Sequence, residues 1–331
     1  MQPKEYMLNS LKQLNDLDGI TLAPGQTVED FILKTILSKK FRKYAASEEL
    51  IEHIKKSIAL NIQKQQPINV LFFHGAYKLW RLDAAPHVDW AELFALMYFI
   101  KWLKPICAVY KPGVWFDIYL DDIILPKINN ISMENVETYI KSYLQIHDFL
   151  KQYQPTNFKL TLTRNKDMYA SMEEFESILK GYVEKLEATN PKFTERALEM
   201  VALSAQPTDE QLKDPQWKEK VLLVHDAYIT MKREQGYFFN HPEKILSFTQ
   251  PLSSGMFVAV GSTKKSVAKF WVGKGILEKK GDTYIENILS PSQIEKVKDA
   301  PCEKVEINFI DAQNFKEITI YNTPLNFTNF H

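Results

Sequence analysis

The first part of the chain has apolar positions at helical spacing. They recur every three or four residues after Thr27 and again after Ser47, and either hydroxyl can cap a helix. The first apolar stripe consists of Phe31, Ile32, Ile36 and Phe41. Pro67 then interrupts the helical pattern. This pattern predicts a helical lead-in over residues 1–66, with a mobile start before Thr27.

In the next segment, residues 68–125, the spacing of apolar residues changes twice. INVLFFHG, residues 68–75, is a short apolar run that predicts a buried strand. Apolar residues continue almost unbroken from Trp90 to Cys107, which is too long for a strand, so they predict a buried helix with Asp89 as its N-cap. VWFDIYLDDIIL, residues 114–125, alternates apolar and polar positions and predicts two strands of a hairpin or one long edge strand.

Helices fill the middle of the chain and strands its last third. Helical spacing predicts helices within 133–153, 171–190, 192–203 and 209–234, with one strand at 158–163. Apolar runs between turn residues predict strands at 245–250, 256–261, 283–289, 304–310 and 317–322. This order predicts an α/β fold with a mixed sheet flanked by helices. We expect one domain over 67–331, with a helical insertion at about 171–240 and a strand-rich C-terminal part.

Charge and cysteine content exclude several classes of protein. The chain has 41 basic and 41 acidic residues, so it lacks the electrostatic footprint of a general nucleic-acid or membrane-surface binder. No apolar segment has the length of a signal peptide core or a membrane span. Cys107 and Cys302 are too few for a disulfide framework. We therefore predict a cytoplasmic protein with a small-molecule substrate and no nucleic-acid or membrane partner; the oligomeric state is left open.

The junction between the predicted strand and the buried helix is the first candidate site, because α/β sheets build their sites at such junctions. Lys78 and Arg81 could hold a carboxylate or phosphate, and a desolvated Lys78 could add to a carbonyl. Asp89 and Glu92 are three residues apart and would face the same side of the helix.

The same residues also have a structural interpretation. Asp89 as N-cap and Glu92 would form a capping box, while Lys78 and Arg81 would belong to a surface loop. His87, Asp89 and Glu92 lack the paired histidine spacing that makes a metal motif specific, so we predict no metal there.

A pair of adjacent carboxylates is the second candidate. Asp121 and Asp122 end the predicted strand, where they could bind Mg²⁺ with a substrate phosphate, as in nucleotide-sugar transferases, or act as acid and base. A turn between hairpin strands also selects aspartate, so a structural role is equally consistent with the pattern.

A glycine-containing basic segment is the third candidate. Gly261 and Ser262 precede Lys264 and Lys265, and backbone amides with ammonium groups could cradle a phosphate there. The spacing is not that of a Walker loop, and a basic turn before a solvated helix explains it equally well. The glycine-rich dinucleotide signature is absent from the chain, so we predict neither NAD nor FAD and no other cofactor.

The order of these motifs resembles the isocyanide synthases of the pyoverdine/dityrosine biosynthesis group. ILKTILSKKFRKY precedes PINVLFFHGAYK, in which Lys78 occupies the position of that family's loop lysine. The family's proline-led helix start is similar to Pro86, Asp89, Glu92, Ala95 and Leu96. Its Y-x-P-G strand, which leads to S-D-G, is similar to Tyr110, Pro112, Gly113 and Asp121, with Asp122 in place of the last glycine.

A later part of the family pattern also has a counterpart in this chain. The family's R-x-x-x-Y helix resembles Arg233 and Tyr237, and its R-L-S-I-H-P strand resembles ILSFTQP. Ser247 and Pro251 match that strand, whereas its arginine and histidine are missing here. The resemblance covers roughly residues 32–250.

The resemblance implies a Rossmann-like α/β domain without a nucleotide. It also implies conversion of an amino-acid α-amine to an isonitrile with a carbon from a ketose phosphate, which needs acid–base groups and a phosphate anchor. The residues that we assign to catalysis are Lys78, Asp89, Glu92 and Asp121. Those that we assign to substrate binding are His74, Arg81, Asp122, Arg233, Ser262, Lys264 and Lys265.

The leading functional prediction is a metal-independent, transferase-type biosynthetic enzyme that resembles these synthases. It would act on an amino-acid-like amine and a phosphorylated or anionic co-substrate. Two alternatives are a metal-dependent nucleotide-sugar transferase and a non-catalytic binding or interaction protein.

Overall fold

A parallel sheet forms the centre of the fold. The computed structural model of the chain describes residues 1–42, 44–74, 86–204, 207–236, 241–248, 256–261 and 273–325. The sheet consists of β1 (Ile68–His74), β2 (Val114–Leu120), β3 (Phe158–Arg164), β4 (Lys244–Phe248) and β5 (Val258–Ala259). Its order is β3-β2-β1-β4-β5 and every pair is parallel. The strand order reverses between β1 and β4, which is where open α/β sheets place ligands.

Two long helices cover one face of this sheet. They are α4 (Trp90–Val109) and α6 (Met133–Leu150). Alternate strand residues point to this face, and the rings of Phe72 and Phe116 lie 4.6 and 4.9 Å from the ring of Phe99 in α4. The nearly continuous apolar run after Asp89 therefore forms the buried helix that the sequence predicts.

The N-terminal helices complete the same core. They are α1 (Pro3–Lys12), α2 (Val28–Ile36) and α3 (Glu48–Gln63). The side chains of Thr27 and Ser47 accept hydrogen bonds from backbone amides, as predicted for caps. The prediction of a mobile start is wrong, because α1 buries Met7 and Leu11 completely in the core.

The helical middle of the chain lies between β3 and β4. It comprises α7 (Met172–Glu187), α8 (Glu195–Ser204), α9 (Asp209–Lys213) and α10 (Trp217–Glu234), while the short α5 (Leu125–Ile128) lies between β2 and α6. The stretch predicted as one helix from 209 to 234 is divided into α9 and α10. Phe175 of α7 packs edge-on against Tyr228 of α10, with ring centroids 6.3 Å apart. This packing fixes the side of α10 that carries Tyr228 and Lys232.

A second sheet follows the parallel one. It consists of β6 (Lys274–Lys280), β7 (Thr283–Leu289), β8 (Cys302–Glu306) and β9 (Glu317–Tyr321), with α11 (Pro291–Lys296) between β7 and β8. Its order is β7-β6-β9-β8, in which β6 and β9 are parallel and the other pairs antiparallel. The sequence analysis did not predict β6. The sheet packs on the first turn of α4, where Trp90 Nε1 donates to the carbonyl of Glu317 at 2.7 Å.

The α/β fold class is therefore confirmed, with its strands in two sheets. The prediction of a hairpin or an edge strand after Gly113 is wrong, because β2 is a single strand paired on both sides. Within the described ranges, no helix combines the length and apolarity needed to cross a membrane. The division into a lead-in and a single domain stays a prediction.

Candidate active site at the carboxyl edge of the parallel sheet

The ends of β1 and β2 bring two predicted site residues together. His74 is the last residue of β1, Asp121 directly follows β2, and the backbone N–H of Asp121 donates to the carbonyl of His74 at 3.1 Å. Successive side chains of a strand point to opposite faces of the sheet. The imidazole of His74 therefore lies on the face covered by α4 and α6, and the carboxylate of Asp121 on the face that meets α10.

A buried polar network surrounds His74. We call it the sealed network, formed by His74, Asp89, Glu92 and Tyr139. The hydroxyl of Tyr139 donates to Glu92 Oε1 at 3.2 Å and lies 2.9 Å from His74 Nε2, from which it can accept. Glu92 is 0% exposed. Burial raises the pKa of the Tyr139 phenol well above its ordinary value, and the charge of Glu92 adds to this effect. The hydroxyl therefore stays protonated and bonded.

The sealed network includes the N-cap of α4. Asp89 Oδ1 accepts from the backbone of Ala91 at 2.6 Å, and Glu92 Oε2 accepts from the backbone of Asp89 at 2.9 Å. These contacts complete the capping box that the sequence indicates. The structural interpretation of Asp89 and Glu92 is therefore confirmed, while their catalytic roles stay predictions.

A second network lies on the opposite face of the sheet. We call it the Lys232–Asp121 cluster, formed by Lys232, Asp121, Tyr228, Asn165 and Tyr119. Lys232 Nζ forms an ion pair with Asp121 Oδ1, and the Tyr228 hydroxyl donates to the same oxygen at 2.9 Å. The Asn165 side chain accepts from the Tyr119 hydroxyl and donates to the Tyr228 hydroxyl. Groups from the ends of β2 and β3 and from α10 therefore converge on Asp121.

The two charged members of this cluster differ in their exposure. The side chain of Lys232 is 4% exposed, whereas that of Asp121 is 23% exposed. The rings of Tyr228, Tyr119 and Phe73 have centroids 4.6, 5.0 and 5.9 Å from the ammonium. Burial lowers the pKa of Lys232, and the charge of Asp121 opposes that shift. The amine is thus buried, whereas the carboxylate that it contacts reaches the solvent.

Apolar side chains extend from this cluster toward the reversal of strand order. Phe73 contacts Phe257, with ring centroids 5.3 Å apart, and lies 5.8 Å from the ring of Tyr119. Leu71 and Leu246 are buried in the same apolar group. The Lys232–Asp121 cluster therefore borders an apolar wall at the position where α/β sheets hold their ligands.

Asp122 is oriented away from Asp121. It is completely buried, and its carboxylate accepts from Arg164 Nε at 2.7 Å and from the backbone of Lys166 at 3.0 Å. Burial raises the pKa of Asp122, and the Arg164 guanidinium opposes that shift. Each of the two aspartates is thus paired with its own cation. Within the part of the chain that the structure describes, no three His, Cys, Asp or Glu side chains are grouped so that they could hold a metal ion.

The other predicted site residues are distributed as follows. Arg233 lies on the exposed side of the last turn of α10, and the preceding Lys232 is the residue that contacts Asp121. The backbone N–H of Gly261, proposed for a phosphate cradle, donates to the carbonyl of Phe41 at 2.8 Å. The predicted residues that lie outside the described ranges are Lys78, Arg81, Ser262, Lys264 and Lys265.

Four residues of the Lys232–Asp121 cluster were missed from the sequence. Tyr228 and Lys232 are four residues apart in a predicted helix, so they share a face. Tyr119 and Asn165 each lie at or just beyond the end of a strand. The helical spacing was visible, but nothing in the sequence shows which face of α10 meets the sheet.

Comparison with known proteins identifies a structural relative. The crystal structure of the PvcA protein from Pseudomonas aeruginosa is similar with a TM-score of 0.59 and 17% sequence identity, covering 88% of this chain and 100% of that one. No family model matches the chain, and no curated protein matches its sequence. At this identity the likeness concerns the fold alone: the chain shares its α/β architecture with PvcA.

Proposed function

We propose that this protein is an isocyanide-synthase-like enzyme, which acts on an amino-acid-like amine and a phosphorylated or anionic co-substrate. One observation is the main support: a buried ammonium and a partly exposed carboxylate, Lys232 and Asp121, are paired at the carboxyl edge of the parallel sheet. Such a pair beside an apolar wall is typical of an active site rather than of a structural ion pair on a surface.

Two further arguments support the same function. The motif order that resembles isocyanide synthases includes Asp121, which is a member of the Lys232–Asp121 cluster. The fold shared with PvcA is the α/β architecture that this resemblance implies. The motif order and the backbone geometry are independent observations.

The contacts of Asp121 suit the condensation of an amine with a carbonyl. Condensing an amine with a carbonyl requires that a proton leave the nitrogen and that one reach the departing oxygen. Asp121 can accept a proton and return it, and the Tyr228 hydroxyl, which donates to Asp121 Oδ1 at 2.9 Å, holds the carboxylate in place. Burial raises the pKa of Tyr228, an effect that the charge of Asp121 reinforces, so this hydroxyl keeps its proton at neutral pH. The apolar wall formed by Phe73 and Phe257 would accept an amino-acid side chain.

The nucleotide-sugar transferase alternative loses its structural support. It requires Asp121 and Asp122 to hold one divalent cation, but their carboxylates bind Lys232 and Arg164 separately. Metal independence is part of our proposal and is tested directly below. A cytoplasmic location is also part of it, since the exposed Cys302 is a free thiol, as expected in a reducing compartment.

The proposal is tested by direct detection of product. Purified protein is incubated with single amino acids and uniformly ¹³C-labelled ketose phosphates, and a labelled isonitrile carbon is sought by mass spectrometry and carbon NMR. We expect a labelled product that persists in the presence of a chelator and is lost with Asp121→Asn. Absence of any labelled product from the folded protein with all amino acids would contradict the proposal.

A matched control is available on the protein surface. Asp214 is also paired with a lysine of α10, Lys220, but this lysine is exposed, whereas Lys232 is buried. Asp214→Asn therefore removes the same chemical group from the same kind of pair. Turnover should be unaffected by Asp214→Asn, and equal losses for the two variants would indicate that the effect of Asp121→Asn is not local.

A further inference from the structure

We infer that Lys232 is the residue that captures a carbonyl substrate, by forming an imine through its Nζ atom. The inference depends on the proposed function in one respect only: the carbonyl substrate is taken to be a ketose phosphate. Lys78, to which the sequence analysis gave this chemistry, lies outside the described residues. Lys232 has a different position, on α10, and its surroundings supply the groups that imine formation needs.

The environment of the amine favours this chemistry. Lys232 is among the few charged residues that are buried in the described part of the chain, and three aromatic rings lie within 6 Å of its ammonium. Lysine is rarely buried without a specific partner, because the charged form loses its hydration. Burial lowers the pKa of Lys232, which increases the neutral fraction that can act as a nucleophile.

The amine has a partner that reaches the solvent. Asp121 Oδ1 contacts Nζ, and the same carboxylate is the partly exposed member of the cluster. A carbonyl compound that contacts this carboxylate is therefore adjacent to the amine. The cluster lies at the end of β2, next to β1, whose other neighbour is β4 across the reversal of strand order. Substrates of open α/β sheets bind in that crevice.

The proton transfers that imine formation needs can be assigned to contacts on this face. The ammonium first gives one proton to Asp121, and the neutral Nζ adds its electron pair to the carbonyl carbon. A proton then passes from the attached nitrogen to the former carbonyl oxygen, forming a neutral carbinolamine. Asp121 returns its proton to that hydroxyl as water leaves, which restores the carboxylate and leaves a protonated C=N bond. The balance is ammonium plus carbonyl to protonated imine plus water, and no oxidant or reductant is consumed.

Asn165 and Tyr119 have a positioning role in this scheme. The amide of Asn165 joins the hydroxyls of Tyr119 and Tyr228, so it fixes the Tyr228 hydroxyl toward Asp121. Neither residue contacts Nζ by a hydrogen bond in this arrangement. Asn165→Ala should therefore slow imine formation and change its pH profile, while Lys232 remains the modified residue.

The test is reductive trapping on the full chain. The protein is incubated with a panel of ketose phosphates of three to six carbons, with dihydroxyacetone phosphate as the smallest, in the presence of sodium cyanoborohydride. Peptide mass mapping then locates the stable secondary amine. We expect modification at Lys232 at least tenfold above that at Lys220, which is on the same helix and exposed. Unphosphorylated dihydroxyacetone gives the background level at both lysines.

Two substitutions complete the test. Lys232→Arg keeps the cation beside Asp121 but cannot form an imine, so it should fold and lose the adduct. Asp121→Asn should reduce trapping at Lys232 severalfold, because the proton acceptor is gone. Trapping at Lys78 instead, or no adduct at Lys232 with every ketose phosphate, overturns the inference.

The outcomes also separate this inference from the proposed function. An adduct at Lys232 without an isonitrile from any amino acid supports the inference and contradicts the proposed function. An isonitrile product from a Lys232→Arg variant at an unchanged rate supports the proposed function and overturns the inference.

Discussion

The sealed network and the Lys232–Asp121 cluster start from adjacent backbone positions but differ in almost every physical respect. His74 and Asp121 are joined by a backbone hydrogen bond, yet their side chains lie on opposite faces of one sheet. Behind His74, Glu92 is 0% exposed and serves the cap of α4. Beside Asp121, a buried amine has a carboxylate that still reaches solvent. Ionisable residues at one sheet edge can thus divide into a structural group and a group suited to chemistry.

The difference follows from what covers each face. Helices α4 and α6 fill the space over β1 and β2 with mostly apolar side chains, and the Tyr139 hydroxyl there is bonded to both Glu92 and His74. The other face meets α10, whose Tyr228 and Lys232 are polar at their tips and apolar along their stems. The other members of this cluster are buried, and Asp121 is the member that reaches the solvent.

The largest effect should come from removing the buried cation. Lys232→Met leaves Asp121 without its ion pair, and breaking a buried pair costs about 3 to 5 kcal/mol. We expect the lower end of that range, because Asp121 keeps the Tyr228 hydrogen bond and some contact with water. Urea denaturation measures the change. Lys220→Met removes an exposed ion pair of the same helix and should cost under about 1 kcal/mol.

The double variant Asp121→Asn/Lys232→Met sharpens this result. It removes both charges, so it should recover part of the stability lost in Lys232→Met alone. A Lys232→Met variant as stable as Lys220→Met would mean that Lys232 and Asp121 are hydrated like a surface ion pair. The contrast between the Lys232–Asp121 cluster and the sealed network would then be wrong.

The next effect concerns the contact between the second sheet and α4. A Cβ added at Gly275 would overlap the backbone of Trp90 and Ala91, which cannot move without disturbing the cap at Asp89. We expect Gly275→Ala to cost about 2 to 3 kcal/mol, as overpacking of a core does. Gly181 in α7 has open space around it, so Gly181→Ala should instead stabilise the protein by up to about 1 kcal/mol. Thermal unfolding of the two variants should show opposite signs.

Stability should depend on pH through a histidine next to the sealed network. The ring of His147 packs at an angle against the ring of Tyr143, with centroids 4.8 Å apart, and burial lowers the pKa of His147 from 6.5 to about 3. The unfolded chain therefore takes up a proton below about pH 6.5 that the folded chain refuses until about pH 3. Stability contributed by the neutral imidazole is present above pH 6.5 and is lost as the pH falls.

Substituting this histidine should flatten the pH dependence. His147→Phe keeps an aromatic ring but removes the titration, so between pH 6.5 and pH 5 it should lose about 2 kcal/mol less than the natural protein. His225→Phe is the matched control, because His225 is exposed on α10. Identical slopes of unfolding free energy against pH for His147→Phe and the natural protein would show that His147 is hydrated.

The smallest expected change in stability comes from Glu92→Gln, and comparing it with Asp121→Asn distinguishes the roles of the two carboxylates. Glu92→Gln keeps an oxygen for the Asp89 N–H and places its amide N–H group beside the Tyr139 hydroxyl, which can accept, so it should cost under about 1 kcal/mol and leave turnover within a few fold. Asp121→Asn is the same chemical change in the other network and should abolish turnover. Loss of turnover in a fully folded Glu92→Gln protein would instead support the catalytic role predicted from the sequence.

The sequence predicts the fold in those places where one interaction decides the structure. Asp89 and Glu92 lie at capping-box spacing before a long apolar run, and the helix begins where that spacing places it. Thr27 and Ser47 also cap the helices that follow them. The parallel pairing of β2 could not be predicted this way, because alternation in one strand does not identify its neighbours. The helix α1 was missed because its buried face is narrow, and only the core against which it packs makes it stable.

The candidate site is less predictable than the fold, for a related reason. Asp121 was found because a carboxylate after a strand is a local signal. Lys232 is more than a hundred residues away in sequence, and Arg233 was as good a candidate until the rotation of α10 about its axis was known. A one-residue change of register on a helix moves a side chain by about 100°, so local motifs cannot choose between neighbours.

The position of β9 in the second sheet has a consequence for the order in which the chain can fold. This strand lies between β6 and β8 but comes last of the four in sequence. The sheet therefore cannot close while a ribosome still holds residues 317–321. Because the indole of Trp90 donates to the backbone of Glu317, the first turn of α4 also waits for this strand. The parallel sheet can assemble earlier during synthesis. The N-terminus of α4 is covered only afterwards, when β9 is in place.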